Sequence, residues 1–276
     1  MGLQINTNIA ALNAYRNLSS TQNAMSTSLE RLSSGLRINR AADDAAGLAI
    51  SETLRSQANG LNQATANAQD AISLIQTAEG GLNESHSILQ RMRQLTVQAG
   101  NDTNDANART AIASEIAQLA TELTRISDTT QFNGRQLLDG NAANATITLQ
   151  VGANSGETMA VTALATGSDA TDLAVNALDV SSATNVALSL TAVDAAITLV
   201  SSERATLGAV QNRLQHTVNS LSVAAENATA AESRIRDTDM AKEMTIFTKS
   251  QILSQAGVAM LAQANSAPQS VLKLLG

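Results

Sequence analysis

Apolar side chains recur every seven residues over a long stretch in the first half of the chain. The repeat consists of Leu54, Leu61, Ala68, Ile75, Leu82 and Leu89. Between them lie Ala58, Thr65 and Ile72, so the spacing up to Ile75 alternates between four and three residues, as in a coiled-coil seam. No proline interrupts residues 54–97, and at about 1.5 Å per residue a helix of that length would measure about 65 Å. The pattern predicts one long helix that needs partner helices.

A shorter amphipathic helix is predicted before the long one. Its apolar positions are Ile5, Ile9, Leu12, Leu18, Met25, Leu29, Leu32 and Leu36. Its predicted end is at Gly35, because glycine tolerates the left-handed conformation that commonly terminates helices. Residues 36–47 are interpreted as a connector, in which Asp43 and Asp44 suit the first turn of the long helix because the helix dipole favours negative charge there.

A second seam follows a cluster of helix breakers near Gly100. Its apolar positions are Ile112, Ile116, Leu119, Leu123 and Ile126. Their spacing again alternates between four and three residues, so this helix can pack antiparallel on the long helix through a short loop. Residues 130–134 have the composition of a turn, with Phe132 as an anchor in the adjoining core.

Strand-like alternation of apolar and polar residues appears between residues 146 and 161. The apolar positions are Ile147, Leu149, Val151, Met159 and Val161. Residues 153–156 contain Asn, Ser and Gly and separate the two runs, which predicts a β-hairpin.

A third long helix is predicted from near Thr191 toward Arg234. Its heptad positions are Val193, Val200, Leu207, Leu214 and Leu221. The preceding residues, 162–191, show only weak periodicity and are interpreted as loops with a short helix.

The last forty residues are unusually apolar, and after Glu243 the only charged side chains are those of Lys249 and Lys273. A helix with so little charge would expose a large apolar patch on a monomer, which marks an assembly surface. The two terminal segments are therefore expected to pair with each other and with neighbouring subunits, and a repeated contact that does not close generates an open helical polymer. The residues predicted to mediate polymerisation are Ile5, Ile9, Leu12, Leu29, Leu32, Ile252, Leu253, Leu261, Leu272 and Leu275.

The predicted fold is mainly α: a long antiparallel helical bundle or coiled coil with one small β-hairpin and paired N- and C-terminal helices. The predicted division is an N-terminal helix and connector in residues 1–44 and two helices with the hairpin in residues 45–176. A further helix occupies residues 177–235, and the C-terminal helix occupies residues 236–276.

Composition argues against an enzyme-like core. Of 276 residues 43% are hydrophobic, but only one Tyr and two Phe are aromatic, which suits thin helical layers better than a compact core. The net charge of −7 offers no footprint for nucleic acid or an anionic membrane, and the absence of cysteine excludes disulfides and thiolate metal sites. The first residues lack the pattern of a cleaved secretory signal, and no apolar run approaches the roughly 18 residues of a membrane span. The protein is expected to be either cytoplasmic or exported by a route that needs no cleaved signal.

No catalytic, metal or cofactor site is predicted. Asp43 and Asp44 could serve acid-base chemistry or bind a metal, but no His or Glu stands at ligand spacing. His86 and His216 lack zinc-peptidase spacing, so surface or packing roles are favoured. Gly80 and its neighbour Gly81 lack a phosphate-loop pattern and indicate a bend or a close contact.

Several separated segments resemble bacterial flagellin, in that family's order. They are QINTNIAALNAYRNL, LERLSSGLRINRAADDAAGLAIS, TQFNGRQLLDG, ITLQVGANSGET, ESRIRDTDMAKEM and the C-terminal LKLLG. The resemblance implies an inner core of paired terminal helices and an outer core that carries the hairpin. The large variable insertion that many flagellins carry near residues 165–190 is missing, which implies a short form and a thin, smooth filament.

The resemblance also implies a role and partners. Such subunits are exported unfolded through the flagellar type III apparatus without a cleaved signal. A chaperone covers the apolar C-terminal segment before export, and the subunits polymerise at the distal tip under a cap, beyond the hook–filament junction proteins. The expected location is therefore the extracellular flagellum. Gln90, Arg91, Leu95, Gln98 and Glu115 match positions read by the Toll-like receptor that senses flagellin in animals, whereas from the residues alone Leu95 is a core residue and Arg91 a solvated charge.

Two alternatives of other kinds remain at this point. A hook–filament junction protein shares the terminal motifs but would assemble in few copies. A cytoplasmic signalling coiled coil shares the composition and heptads but would need a symmetric helical hairpin, whereas here the middle of the chain predicts a β-hairpin and loops.

Overall fold

The computed structural model describes residues 8–140, 146–162 and 167–275, with side chains up to residue 266 in the last range. Within these ranges the chain forms five helices: α1 Ile9–Ser34, α2 Ala45–Ala99, α3 Ala106–Thr129, α4 Ala183–Arg236 and α5 Met240–Leu275. The same ranges contain two short antiparallel strand pairs. The predicted mainly α fold with long packed helices is confirmed.

The chain forms two compact units. Unit 1 combines both ends of the chain, Met1–Ser56 and Asn227–Gly276, and unit 2 is the continuous segment Gln57–Glu226. The division into four segments stays a prediction, because these units group residues by contact and not by order along the chain.

In unit 1, the end of α1 confirms the predicted stop at Gly35. Asn8 precedes the helix and its side-chain oxygen accepts a hydrogen bond from the Ala11 backbone N–H at 3.1 Å. Gly35 terminates the helix with φ of 74°, where a residue with a Cβ is strained, and its N–H donates to the Arg31 carbonyl.

The prediction that the two connector aspartates lie in the first turn of α2 was wrong, because both precede Ala45, where the helix begins. Asp44 Oδ1 accepts from the Gly47 N–H at 2.8 Å, as a helix cap does. Asp43 Oδ2 accepts from the N–H groups of Arg40 at 2.9 Å and Asn39 at 3.0 Å, which holds the pKa of the Asp43 carboxyl below its usual range. Hydrogen bonds from backbone N–H groups therefore hold both carboxylates in the connector.

In unit 2, the predicted heptads form the core. The fully buried residues of α2 and α4 include Ala68, Ile75, Leu82, Leu89, Val193, Val200, Leu207 and Leu214. They belong to one continuous cluster that also takes side chains from α3 and the strands. The predicted antiparallel packing of α3 on α2 is confirmed, since Arg91 pairs with Glu115, while Gly81, earlier in α2, lies beside Thr130 at the end of α3.

The predicted seam of α3 was wrong at two positions. Ala120 and Ser127 are buried, whereas Leu119 and Ile126 are only half-buried. The buried Ser127 hydroxyl donates a short hydrogen bond to the Leu138 carbonyl, which satisfies this polar group inside the core. Leu119 still packs against the edge of the core.

Helix α4 begins at Ala183, earlier than the predicted start near Thr191. Ser182 supplies the first turn, since its hydroxyl accepts from the Asn185 N–H and its carbonyl from the Val186 N–H. A hydroxyl that satisfies these otherwise unpaired N–H groups favours this start over the apolar pattern.

One composition-based expectation was also wrong for α4. An 18-residue window in this helix has a mean hydropathy of 1.5, apolar enough by length and composition to span a membrane, and 28% of it is buried. Val193, Val200 and Leu207 of the same helix are fully buried in unit 2.

The predicted β-hairpin consists of β3 Ile147–Gln150 and β4 Thr158–Val161, with Ile147 opposite Val161. It lies against α2, where the Asn67 side chain donates to the Gln150 carbonyl at 3.2 Å. A second pair, β1 Gln131–Phe132 and β2 Arg135–Gln136, forms where only a turn was predicted. Asn133 and Gly134 connect these two strands with φ of 52° and 77°, the geometry of a two-residue hairpin turn.

The predicted close contact at the paired glycines is found at Gly81. A Cβ at Gly81 would lie 2.8 Å from both Leu138 Cδ1 and Thr130 Oγ1, while a Cβ at Gly80 would have no neighbour within 4 Å. Gly81 therefore allows the segment after α3 to approach α2.

Candidate assembly interface

In unit 1, α1 and α5 pack antiparallel along a regular seam. The less exposed residues of α1 are Ala11, Ala14, Leu18, Thr21, Met25, Ser28 and Leu32. Those of α5 are Glu243, Phe247, Ser250, Ser254, Gly257, Leu261 and Ala264. In both helices the spacing alternates between three and four residues, as in a coiled coil. The predicted pairing of the terminal helices is therefore confirmed.

Polar contacts along the pair set its direction and register. At one end the Asn8 side chain donates to the Ala264 carbonyl at 2.7 Å, and toward the other Arg31 Nη1 lies 3.9 Å from Glu243 Oε2. Both Glu243 and Ser28 are buried in the seam. The large apolar residues of the seam, such as Leu18 and Phe247, are only half-buried, so this pair buries less apolar area than the Leu- and Val-rich core of unit 2.

The connectors beside these helices also bind each other. Leu36 and Asp237 form an antiparallel bridge, with the Arg37 N–H donating to the Arg236 carbonyl at 2.6 Å. Arg236 Nη1 donates to Glu52 Oε1 at 2.7 Å. The chain therefore joins its two ends by backbone hydrogen bonds as well as by side-chain packing.

The remaining faces of α1 and α5 carry exposed apolar side chains. They are Ile9, Leu12, Tyr15 and Leu29 of α1, and Met240, Met244, Ile246, Ile252, Leu253, Val258 and Met260 of α5. Leu12 and Tyr15 also line an open depression of about 480 Å³ on α1, together with Arg16. We call these exposed residues the outer face of unit 1.

The residues predicted to mediate polymerisation fall into three groups. Those on the outer face are Ile9, Leu12, Leu29, Ile252 and Leu253. Leu32 and Leu261 are half-buried in the seam, where they serve the pairing within one subunit. Ile5 and the side chains of Leu272 and Leu275 lie outside the described residues.

Sequence reasoning missed Tyr15 and the methionines of the outer face. The signal was present for α5, because so few charged residues follow Glu243 that every face of the helix is apolar. The sequence signal for Tyr15 was weaker, because this single aromatic residue lies outside the heptad pattern from which the other positions were predicted.

A second surface of interest lies on α2 and α3 of unit 2. Arg91 donates to Glu115 Oε1 through Nε at 3.0 Å and Nη2 at 2.7 Å. Gln90 Nε2 lies 2.8 Å from His86 Nε2, which gives His86 a local surface contact. Gln98 is exposed and its carbonyl accepts from Asn104.

Leu95 differs from the other four residues of the predicted receptor site. It is only 2% exposed and belongs to the core of unit 2. A partner cannot touch it while the helices are packed, so Leu95 does not belong to the exposed surface on which the other four residues lie.

The described residues contain no group of three His, Cys, Asp or Glu side chains placed to hold a metal ion.

The structure has the organisation of a self-assembling structural subunit. Its terminal helices form an antiparallel pair with an apolar outer face, and the chain joins this pair to a helical unit that has its own core.

Residues 5–143 match the bacterial flagellin N-terminal helical region, and residues 190–275 match the bacterial flagellin C-terminal helical region. The chain belongs to the bacterial flagellin family. Flagellin of Halalkalibacterium halodurans is 54% identical over 271 residues, which cover 98% of this chain and 99% of that protein. Flagellin of Bacillus subtilis is 53% identical, with 99% of this chain and 100% of that protein covered.

Among solved structures, Bacillus cereus flagellin is 34% identical with a TM-score of 0.50, covering 56% of this chain and 88% of that chain. A proposed flagellar hook-associated protein of Vibrio parahaemolyticus is 15% identical with a TM-score of 0.58, covering 71% of this chain and 100% of that chain. The second likeness shows the fold alone. The family membership makes this protein a structural subunit that polymerises into the flagellar filament, an extracellular appendage, and not an enzyme.

Proposed function

We propose that subunits polymerise through the outer face of unit 1. The observation that carries this proposal is the exposure of large apolar side chains on both α1 and α5, including Leu12 and Ile252. Burying one such side chain is worth about 1.5–3 kcal/mol, so a contact that covers several of them can drive assembly. The seam between α1 and α5 buries less apolar area within one subunit. The helix pair therefore gains stability when neighbouring subunits cover its outer face.

A substitution at Ile252 tests the proposal. Ile252 is 60% exposed, so Ile252→Asp is expected to leave the monomer folded but to slow growth from filament seeds by roughly tenfold or more, because a buried unpaired carboxylate opposes the contact. Ile252→Leu keeps the position apolar and is the matched control, expected to grow at the wild-type rate. Growth is measured by electron microscopy of seeded samples and folding by far-UV circular dichroism. Wild-type growth by Ile252→Asp would contradict the proposal.

The same exposed face fits the transient partners that precede assembly. An apolar α5 in a free subunit is open to other contacts, so an export chaperone that covers the C-terminal segment is a suitable partner before polymerisation. The absence of cysteine fits export in an unfolded form through the flagellar type III apparatus without a cleaved signal, since no disulfide has to form or break. Cap and hook–filament junction proteins are the further partners of this proposal.

A second proposed function is recognition by the Toll-like receptor that senses flagellin. Its support is the surface formed by Gln90, Arg91, Gln98 and Glu115, all with side chains that reach solvent on α2 and α3. The two hydrogen bonds between Arg91 and Glu115 fix the guanidinium across the helices, so less side-chain freedom is lost on binding.

Arg91→Ala is expected to weaken binding of the monomer to the purified receptor ectodomain by roughly tenfold or more, since truncation of a central interface arginine commonly has this effect. Arg93→Ala is the matched control. Arg93 is also exposed on α2, but it points to another side of the helix and pairs with Asp194 at 2.6 Å. Binding is measured by surface plasmon resonance. The proposal is wrong if Arg91→Ala binds like wild type, or if Arg93→Ala loses as much affinity.

A further inference from the structure

Methionine is concentrated on the outer face of unit 1. Met240, Met244 and Met260 of α5 are 47%, 51% and 65% exposed, whereas Met92 in the core of unit 2 is 0% exposed. Met25 lies half-buried in the seam of α1.

The three exposed methionines lie on both sides of the α5 seam. At about 100° per residue, Met240 and Met244 are one turn apart on one side of the line through Glu243 and Leu261, and Met260 is on the other. A change of polarity at these thioethers would therefore affect both flanks of the proposed contact.

We infer that Met240, Met244 and Met260 form an oxidation-sensitive site through which hydrogen peroxide controls the assembly competence of the free subunit. This inference rests on the outer face being the polymerisation contact. In each reaction the thioether sulfur attacks one peroxide oxygen and an S–O bond forms as the O–O bond breaks. The transferred oxygen gives up its proton, and the other oxygen takes up a proton and leaves as water. The sulfur loses two electrons to the peroxide, and the product is methionine sulfoxide.

The consequence for assembly follows from the chemistry of the sulfoxide. Oxidation converts a flexible apolar side chain into a polar one with a strong hydrogen-bond acceptor. Burying that acceptor in an apolar contact without a donor opposes subunit addition. Susceptibility follows exposure, so the free subunit is the sensitive state and the assembled subunit is protected.

The test treats purified monomer with hydrogen peroxide, stops the reaction with catalase and locates oxidised residues by peptide mass spectrometry. We expect Met240, Met244 and Met260 to oxidise roughly tenfold or more faster than Met92, and slower in preformed filaments than in monomers. The oxidised monomer should extend seeds roughly tenfold or more slowly, and treatment with methionine sulfoxide reductases of both stereospecificities should restore growth.

A triple variant separates these methionines from all other peroxide-sensitive groups. Met240→Leu, Met244→Leu and Met260→Leu together preserve apolar volume, so this variant should assemble like wild type and stay competent after peroxide. The inference is overturned if oxidised wild-type protein extends seeds normally, if reductase treatment does not restore growth, or if the triple variant loses growth after peroxide as wild type does. If the triple variant does not assemble, reductase rescue decides the matter together with peptide mass spectra that locate the reversed sulfoxides at Met240, Met244 and Met260.

The outcome also distinguishes the inference from the proposal beneath it. Normal assembly by Ile252→Asp would contradict the proposed polymerisation contact itself. Blocked assembly by Ile252→Asp, with normal assembly by the oxidised wild-type protein, would contradict only the oxidation-sensitive site.

Discussion

Removal of residues 251–276 is expected to abolish filament growth while unit 2 stays folded. The deletion takes away four seam residues of α5, from Ser254 to Ala264, that face the first turns of α1. Asn8 then loses its acceptor at Ala264, and Leu18 loses its contact with Gly257. The outer face loses Ile252, Leu253, Val258 and Met260, and the first half of α1 becomes a short amphipathic segment without a partner helix.

Unit 2 should survive this truncation because its described core is independent of the deleted segment. The two core clusters of unit 2 extend along the chain only as far as Ala225. Far-UV circular dichroism should therefore show a loss of helix limited to the terminal pair, with a remaining cooperative thermal transition. Electron microscopy after seeding measures growth, with the full-length chain prepared in the same way as the control. Normal filaments from the truncated chain, or loss of the transition of unit 2, would contradict the expectation.

Leu207→Ala is expected to lower the free energy of unfolding of unit 2 by about 2–5 kcal/mol, the usual cost of a large cavity in a packed core. Leu207 is 0% exposed at the centre of the α4 heptad, with Val200 and Leu214 also fully buried on either side. The lost free energy has two parts, the burial energy of the removed methyl groups and the cost of the cavity that the neighbouring helices cannot close.

Leu188→Ala is the matched control for this prediction. It makes the same chemical change in the same helix, but Leu188 is 68% exposed, so its effect should stay within about 0.5 kcal/mol. Urea unfolding followed by far-UV circular dichroism gives both values, and an unchanged dependence on urea concentration shows that the unfolded state is unaltered. Equal losses for the two variants would show that the heptad of α4 does not carry the core.

The fold alone does not separate a filament subunit from related flagellar proteins. The likeness to a proposed hook-associated protein at 15% identity shows that the same arrangement of helices occurs in a chain of very different sequence. The assignment to the filament therefore rests on the sequence, which matches flagellins at over 50% identity along nearly the whole chain.

Much of the architecture was predictable because its causes are local. The heptads of α2 and α4, the end of α1 at Gly35 and the alternation in β3 and β4 each depend on residues close together in the chain. Period, glycine conformation and alternation act within a few residues, so they can be read without knowing what the segment packs against.

The rest depended on partners distant in the sequence. Ser127 is buried and donates a hydrogen bond to the Leu138 carbonyl, which the heptad spacing of α3 could not predict. The resemblance to flagellin placed Leu95 in a receptor site, whereas the apolar pattern alone made it a core residue, and the packing of unit 2 buries it.

The sequence by itself determined that the terminal helices are apolar enough to require partners and that the chain belongs to the flagellin family. Only the tertiary structure decided which apolar residues face inward. Leu261 lies in the seam and Met260 beside it is exposed, although both are large and apolar. When apolar residues lie on every face of a helix, their spacing does not indicate which face is buried. The buried face is then set by the helix that packs against it.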